Sequence, residues 1–206
     1  MKVLVVDQQT LMRRGIRELL KKTYPLVHVQ EARSIAEVQS ALATEEYDLM
    51  ILDLLLTDGN AFDHVESWAR SSKETSILVY SMCSEQLYAK RLAALGCRGF
   101  LSKEASEERL LDVVNALYMG RTVMGKAARA ERAAVNHENP FAQLTDREIR
   151  VMEELLRGLG IKEIAQCLSI APSTTSTYKA RLFAKLGVNN EMDLYRLVRL
   201  HGLHPG

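Results

Sequence analysis

The feature that most constrains the fold is a regular alternation of short apolar runs with helix-like periods over residues 1–120. Runs of about four apolar residues suit strands that are buried on both faces of a sheet. Between the runs, apolar residues recur every three or four positions, as in amphipathic helices. This alternation predicts an α/β fold with a doubly wound, parallel, five-stranded sheet of the flavodoxin-like kind. The predicted strands are Val3–Val6, Val27–Val29, Leu49–Leu52, Ile77–Tyr80 and Phe100–Leu101.

Polar residues stand where four of these strands end. Asp7, Asp53 and Ser81 directly follow their runs, and Lys103 comes two residues after the last one. Because the carboxyl ends of parallel strands meet at one edge of a sheet, we expect these side chains to share a crevice. Taken singly, Ser81 is better explained as a strand cap and Lys103 as a surface lysine. Together with the two acids, they indicate a site for an anion and a metal ion.

Composition and cysteine usage narrow the class of protein. The net charge of +1 does not by itself indicate a nucleic-acid partner, although a local basic face is compatible with it. Cys83, Cys97 and Cys167 form no CxxC pair, which favours reduced thiols over disulfides or a zinc site. The N-terminus lacks a signal-peptide pattern, and no apolar run approaches the roughly 20 residues that span a bilayer. We therefore expect a cytoplasmic protein with no membrane partner.

The C-terminal part, from about residue 141, has only helical periodicity. The segment Thr145–Glu148 has the pattern of a capping box. A short helix over 162–168, a turn over 169–171 and a helix that begins at Pro172 predict a helix-turn-helix. The second helix is rich in Ser, Thr, Lys and Arg, which suits either a solvated face or a DNA-binding surface. We expect an α/β domain over 1–120, a linker over 121–140 and a small all-α domain over 141–206.

The C-terminal part resembles the LuxR-type helix-turn-helix in four segments that occur in the family's order. These segments are Leu144–Glu148, Ile161–Ala165, Ser173–Leu182 and Lys185–Val188. The resemblance implies that this helix-turn-helix binds double-stranded promoter DNA and that Ser176, Thr177 and Ala180 face the major groove. Five residues are implied to lie near phosphates, and Thr174 belongs to the same polar segment of the DNA-binding helix. The five are Lys162, Ser173, Lys179, Arg181 and Lys185.

Domains of this family bind DNA as dimers, so the resemblance implies a homodimer. Apolar residues of the last predicted helix correspond to the family's dimer surface. Packing against the preceding helices explains the same residues equally well. They are Leu194, Leu197, Val198 and Leu200.

With both parts together, the chain resembles a NarL/FixJ-type two-component response regulator. The resemblance implies that Asp53 accepts a phosphoryl group from a histidine kinase, with Asp7 and Asp53 as ligands of Mg²⁺. Lys103 would pair with a phosphoryl oxygen, Ser81 would bond to another, and Phe100 would be the switch aromatic. The output would act on RNA polymerase at promoters.

Three departures from the family pattern affect the phosphorylation site. Gln8 stands where the family has a second acid, and a neutral amide is a weaker ligand for a hard cation such as Mg²⁺. Thr57 replaces a common Pro and Ala61 a common Gly, which predicts a looser loop after Asp53. We therefore expect Mg²⁺ binding to be weak or absent. Either phosphorylation persists with poor Mg²⁺ affinity, or the regulator is atypical and does not depend on phosphorylation.

Two other classes of function compete with a DNA-binding regulator. A phosphatase-type enzyme would use Asp53 as a transient nucleophile, but turnover needs a general acid or base. His64 is a poor candidate for that role because it lies in the following predicted helix, so we expect no enzyme. The other alternative is a protein–protein adaptor whose helix-turn-helix does not bind DNA.

Overall fold

The computed structural model describes residues 1–72, 74–83, 85–124 and 140–200. Contacts divide the chain into two compact units, Met1–Ala134 and Val135–Gly206. The predicted boundaries at residues 120 and 141 stay a prediction. Residues 125–139 of the predicted linker and residues 201–206 of the predicted C-terminal domain lie outside the described residues.

The first unit contains a five-stranded sheet with the order β2-β1-β3-β6-β7, in which all neighbours are parallel. This architecture confirms the predicted α/β fold. A short antiparallel hairpin, β4–β5, follows the central strand and was not predicted. The strands are β1 (Lys2–Val6), β2 (His28–Ala32), β3 (Leu49–Leu52), β4 (Leu55–Leu56), β5 (Gly59–Asn60), β6 (Ser76–Ser81) and β7 (Gly99–Ser102). The helices are α1 (Thr10–Thr23), α2 (Ile35–Thr44), α3 (Phe62–Ser71), α4 (Glu85–Ala94) and α5 (Glu107–Tyr118).

Burial explains why these runs become strands and these periods become helices. Every residue of β3 is buried, as central strands covered on both faces require. Ile16 and Leu20 of α1 join Val113 and Val114 of α5 in one core cluster with the sheet. α5 begins at Ser106, whose Oγ accepts a hydrogen bond from the backbone N–H of Arg109 at 3.3 Å, as an N-cap does.

The second unit is helical, which confirms the predicted all-α domain. A 3₁₀ turn (Pro140–Gln143) precedes α6 (Asp146–Leu156), α7 (Ile161–Cys167), α8 (Pro172–Leu186) and α9 (Glu191–Leu200). Thr145 and Glu148 form the predicted capping box at the start of α6. α8 begins with Pro172 at its first position and ends at Gly187, whose φ of +66° lies in the left-handed region that favours glycine.

The last helix, α9, contributes to the core of its own unit. Leu194 and Val198 are 0% and 1% exposed, so packing inside the unit accounts for these two residues. Leu197 is half-buried, and the side chain of Leu200 lies outside the described residues. No helix among the described residues is both long enough and apolar enough to cross a membrane.

Candidate functional site

Four polar side chains meet at the carboxyl edge of the sheet, and we call this group the carboxylate pocket: Asp7, Asp53, Ser81 and Lys103. Asp7, Asp53 and Lys103 directly follow β1, β3 and β7, and Ser81 is the last residue of β6. Parallel register aligns these strand ends, because Val6 pairs with Leu52 and Ser81 pairs with Ser102. The fold thus brings together the four residues that the strand ends predicted.

Lys103 bridges the two acids of the carboxylate pocket. Its Nζ lies 2.6 Å from Asp7 Oδ2 and 2.6 Å from Asp53 Oδ2. The Ser81 hydroxyl donates to Asp53 Oδ1 at 2.6 Å. Each Asp53 oxygen therefore has a close hydrogen-bond donor.

The carboxylate pocket is closed to solvent, which strengthens its electrostatic interactions. Asp7 is 2% exposed and Asp53 is 5% exposed. Burial by itself lowers the pKa of Lys103, but hydrogen bonds and charge from Asp53 and Asp7 outweigh this effect and raise the pKa. Lys103 is therefore a permanent cation between the two carboxylates at neutral pH.

Arg13 holds the chain segment that carries Asp7, and the sequence reasoning missed this role. Its guanidinium donates to the backbone carbonyls of Asp7 at 2.7 Å and Gln8 at 3.2 Å. It also pairs with Glu31 of β2 at 3.1 Å. The sequence signal for it is a basic residue three positions before Ile16 and seven before Leu20, on the apolar side of the predicted helix. In the structure Arg13 is 9% exposed. The Gln8 side chain, in contrast, is exposed.

The loop after Asp53 is held by hydrogen bonds at Thr57 and Asp58. That Thr57 in place of Pro loosens this loop stays a prediction. The Thr57 hydroxyl donates to the carbonyl of Arg33 at 3.1 Å. Asp58 accepts hydrogen bonds from the backbone N–H groups of Ile35 and Ala36 at 2.7 and 3.1 Å. Burial acts to raise the pKa of Asp58, but these N–H groups outweigh it and lower the pKa.

Ala61 is compatible with the same anchored loop. It is fully buried, and its N–H donates to the carbonyl of Leu54 at 2.8 Å. Its φ of −63° is open to any residue, so the position does not need the glycine that the family commonly has.

Phe100, the predicted switch aromatic, is a buried residue of β7. It is 2% exposed and pairs in register with Val79 of β6. Its backbone N–H donates to the carbonyl of Val123 at 3.1 Å. Phe100 is thus the second residue of β7, three positions before Lys103, and its side chain lies in the interior of the unit.

Asp7 and Asp53 are the charged oxygen ligands that the carboxylate pocket could offer to Mg²⁺. Mg²⁺ requires near-octahedral oxygen ligands, several of them charged or from water. Gln8 supplies no charge, and the Oδ2 atoms of Asp7 and Asp53 are both bonded to Lys103. The residues that the structure describes contain no group of three or more His, Cys, Asp or Glu side chains able to hold a metal ion.

The helix α8 has one buried side and one exposed side. Leu182 and Thr175 are fully buried, and the Thr175 hydroxyl donates to the carbonyl of Ala171 at 3.3 Å. Most residues predicted to bind DNA lie on exposed positions. The exposed ones are Lys162 of α7 and Ser173, Thr174, Ser176, Thr177, Ala180 and Arg181 of α8.

Two of the predicted phosphate-binding lysines are engaged inside the unit. Lys179 Nζ lies 2.6 Å from Glu191 Oε1 of α9. Lys185 Nζ lies 2.6 Å from Glu148 Oε2 and 3.1 Å from the carbonyl of Gln143. Burial acts to raise the pKa of Glu148, but hydrogen bonds from Lys185 and Thr145 and the charge of Lys185 outweigh it and lower the pKa.

Two protein families match the chain in the order of its two units. Residues 3–115 match the response regulator receiver domain. Residues 142–198 match the bacterial regulatory proteins of the luxR family. The first match covers more than half of the chain.

Known relatives have the same two-part organisation along their length. The response regulator UvrY of Escherichia coli strain K12 is 27% identical over 98% of this chain and 94% of its own length. The nitrate/nitrite response regulator protein NarP of the same strain is 29% identical over 92% of this chain and 90% of its own.

Solved structures agree on the fold. RcsB from Salmonella enterica serovar Typhimurium, bound to promoter P1flhDC in the presence of the phosphomimetic BeF3⁻, superposes with a TM-score of 0.74 at 23% identity. That match covers 96% of this chain and 98% of RcsB. A second RcsB structure, solved in a study of conformational dynamism for DNA interaction, gives a TM-score of 0.77 at 23% identity, with 98% of both chains covered.

These matches agree with the parallel sheet of the first unit and the helix-turn-helix of the second. The chain belongs to the NarL/FixJ-type two-component response regulators, which join a receiver domain to a LuxR-type DNA-binding domain.

Proposed function

We propose that this regulator controls transcription by placing α8 in the major groove of promoter DNA. The observation that carries the proposal is the two-sided character of α8. Ser176, Thr177 and Ala180 are exposed, while Thr175 and Leu182 are buried on the other side. Short side chains let the helix approach base edges, and hydroxyl groups both donate and accept hydrogen bonds.

The exposed cations and hydroxyls next to this face are the candidates for phosphate contacts. We assign this role to Lys162, Ser173, Thr174 and Arg181, all of which are exposed. Such contacts fix the helix in the groove and contribute most of the salt-dependent affinity.

Lys185 has a structural role in this proposal. Its ammonium group bonds to Glu148, whose side chain is 3% exposed, and to the carbonyl of Gln143. Moving Lys185 to a phosphate would leave the Glu148 carboxylate buried without its cation, which is costly. We therefore infer that Lys185 fixes α6 and the 3₁₀ turn against α8.

The proposed partners follow from the use of paired half-sites. A homodimer contacts two half-sites, and this raises affinity beyond that of one small domain. Regulation at a promoter further involves RNA polymerase, and it takes place in the cytoplasm of a bacterium. A histidine kinase is the proposed source of the input signal.

For that input, we propose Asp53 as the phosphoryl acceptor. A carboxylate oxygen attacks the phosphorus of a phosphohistidine on the kinase, and the phosphorus–nitrogen bond breaks. The product is an acyl phosphate on Asp53, and the histidine nitrogen takes up a proton. We propose that Lys103 and Ser81, which both bond Asp53, would bond phosphoryl oxygens and that Phe100 is the switch aromatic.

The same geometry favours a second candidate, a regulator that acts without phosphorylation. Lys103 already bridges Asp7 and Asp53, and Ser81 already bonds Asp53. We infer weak Mg²⁺ binding from the neutral Gln8 and from the two Oδ2 atoms held by Lys103, and this inference supports the same candidate. In this form, constitutive dimerisation or another ligand must favour one state of the protein over the other.

The two candidates differ in their response to phosphoryl analogues. Full-length protein is incubated with acetyl phosphate or beryllofluoride while Mg²⁺ is varied, and Asp53 is followed by mass spectrometry and by Trp68 fluorescence. The phosphorylation-independent candidate predicts no saturable change at low-millimolar Mg²⁺, and Gln8→Asp should restore one. Saturation by the wild type in that range would exclude this candidate.

The adaptor alternative is tested by selection of bound duplexes from a random DNA library. A DNA-binding regulator should enrich a sequence and lose affinity steeply as salt increases. An adaptor should enrich none.

A further inference from the structure

Glu191 of α9 holds a cation of the proposed DNA-binding helix. Lys179 Nζ lies 2.6 Å from Glu191 Oε1 and 5.4 Å from the centroid of the Phe183 ring. The Lys179 side chain is 28% exposed and the Glu191 side chain is 51% exposed. The pair is therefore formed within one domain, at a surface that solvent reaches.

A DNA phosphate and the Glu191 carboxylate cannot both take the ammonium group of Lys179 at full strength. If a phosphate displaces Glu191, the freed carboxylate stays near a second anion, and like charges repel. If Glu191 keeps Lys179, the helix loses one phosphate contact. Either way, Glu191 lowers the affinity of this face for the DNA backbone.

We propose that Glu191 competes with DNA phosphates for Lys179 and thereby weakens sequence-independent binding by α8. The inference rests on the proposed function of α8 at DNA. Phosphate contacts supply essentially all non-specific affinity, whereas base edges supply sequence discrimination. A weaker phosphate contact lowers the affinity for every duplex, so base contacts by Ser176, Thr177 and Ala180 make up a larger share of the affinity that remains.

The test uses the full chain and a generic fluorescent DNA duplex, because phosphate contacts do not depend on sequence. Fluorescence anisotropy at low salt measures the affinities of wild type, Glu191→Gln, Lys179→Gln and the double variant. Glu191→Gln should bind about two- to fivefold more tightly, since a surface ion pair of this size no longer has to be broken. Its salt dependence should steepen by about 0.9 in log–log slope, the value for one phosphate contact.

The double variant shows whether the effect passes through Lys179. Glu191→Gln should give no gain when Lys179 is already Gln. Asp193→Asn is the matched control, because it removes the same charge from the same helix while its carboxylate pairs with Arg196 at 3.6 Å. This control should leave the affinity within about twofold of wild type. Circular dichroism verifies that each variant retains its helices.

Two results would overturn the proposal: unchanged or weaker binding by Glu191→Gln, or an equal gain in Asp193→Asn. The second result would mean that net charge alone sets the affinity. Failure of the underlying function gives a different result, in which wild type and variants alike show no salt-dependent binding to the duplex.

Discussion

At the scale of single residues, the bridge that Lys103 makes between Asp7 and Asp53 determines how the carboxylate pocket responds to substitution. The side chain of Lys103 is 4% exposed and those of Asp7 and Asp53 are 2% and 7% exposed. A buried ion pair stabilises the folded state by less than its Coulomb attraction, because burying the two charges costs free energy. Removal of one partner, however, leaves an uncompensated buried charge. Here the loss of one cation affects two carboxylates.

Lys103→Met should therefore lower the free energy of unfolding of the first unit by about 3–5 kcal/mol. Urea unfolding followed by the fluorescence of Trp68, which is 4% exposed on α3, measures this change. The control is Arg70→Met, because the Arg70 side chain is 79% exposed and pairs with Glu66 on the surface. That control should cost about 1 kcal/mol or less. Equal losses in the two variants would contradict the bridge.

Residue-level contacts between distant segments could not be predicted from the sequence. The strand ends predicted that Asp7, Asp53, Ser81 and Lys103 share a crevice, because parallel register aligns such ends. The sequence does not indicate that Lys103 would bond both acids. Asp58 accepts a hydrogen bond from the backbone N–H of Ile35 at the start of α2, 23 residues away, and no local sequence pattern predicts such a bond.

At the scale of elements, the Glu148–Lys185 pair joins the start of α6 to the end of α8. Glu148 also accepts from the backbone N–H of Thr145 at 2.7 Å, so the same carboxylate caps α6 and anchors α8. Because α7 has only seven residues, contacts with α6 such as this pair help to fix the position of α8. The pair therefore affects the position of the DNA-binding helix as well as the stability of its unit.

Glu148→Gln should destabilise the second unit by about 1–3 kcal/mol at pH 7, the usual loss when a charged, buried hydrogen-bond partner is removed. The pKa of Glu148 is lowered in the folded state, so its contribution is present above the unfolded value of about 4.3. That contribution is lost as pH falls through the folded pKa. Urea midpoints followed by far-ultraviolet circular dichroism from pH 3 to 7 should converge for wild type and variant at the acid end.

A constant difference between the two proteins over that pH range would contradict the assignment to Glu148 ionisation. Asp193→Asn is the control, because Asp193 pairs with Arg196 on the surface, with side chains 36% and 77% exposed. It should shift the midpoint only slightly at any pH.

Elements with strong periodicity could be predicted, and weakly patterned ones could not. The buried runs of β1, β3 and β6 and the capping box of α6 appear where the sequence indicates them. β2 extends over His28–Ala32, past its apolar run, because an edge strand that pairs only with β1 tolerates polar residues. The hairpin of β4 and β5 has two residues a strand, too few for a pattern.

At the scale of the whole molecule, the two domains differ in the surroundings of their functional side chains. Those of the receiver domain are buried and bonded to one another, and most of those of the DNA-binding domain are exposed. The carboxylate pocket holds its hydroxyl and its cation on the unmodified Asp53. On the exposed side of α8, the hydroxyls of Ser176 and Thr177 donate to the carbonyls of Pro172 and Ser173 at 3.1 and 3.0 Å, so they offer a ligand their acceptor oxygens. Arg181 offers an exposed cation beside them. We therefore expect DNA binding that depends on α8 and does not require modification of Asp53.

The measurement that tests this central expectation is the affinity of the full-length, unphosphorylated protein for a duplex selected from a random library. It is repeated with Arg181→Ala, with Thr177→Ala and with Asp53→Ala over a range of salt. Arg181→Ala should weaken binding to all sequences and reduce the salt slope by about 0.9, while Thr177→Ala should lower discrimination between selected and generic duplexes. Asp53→Ala should bind as wild type does. The account is contradicted if both α8 variants keep the affinity and sequence preference of the wild type.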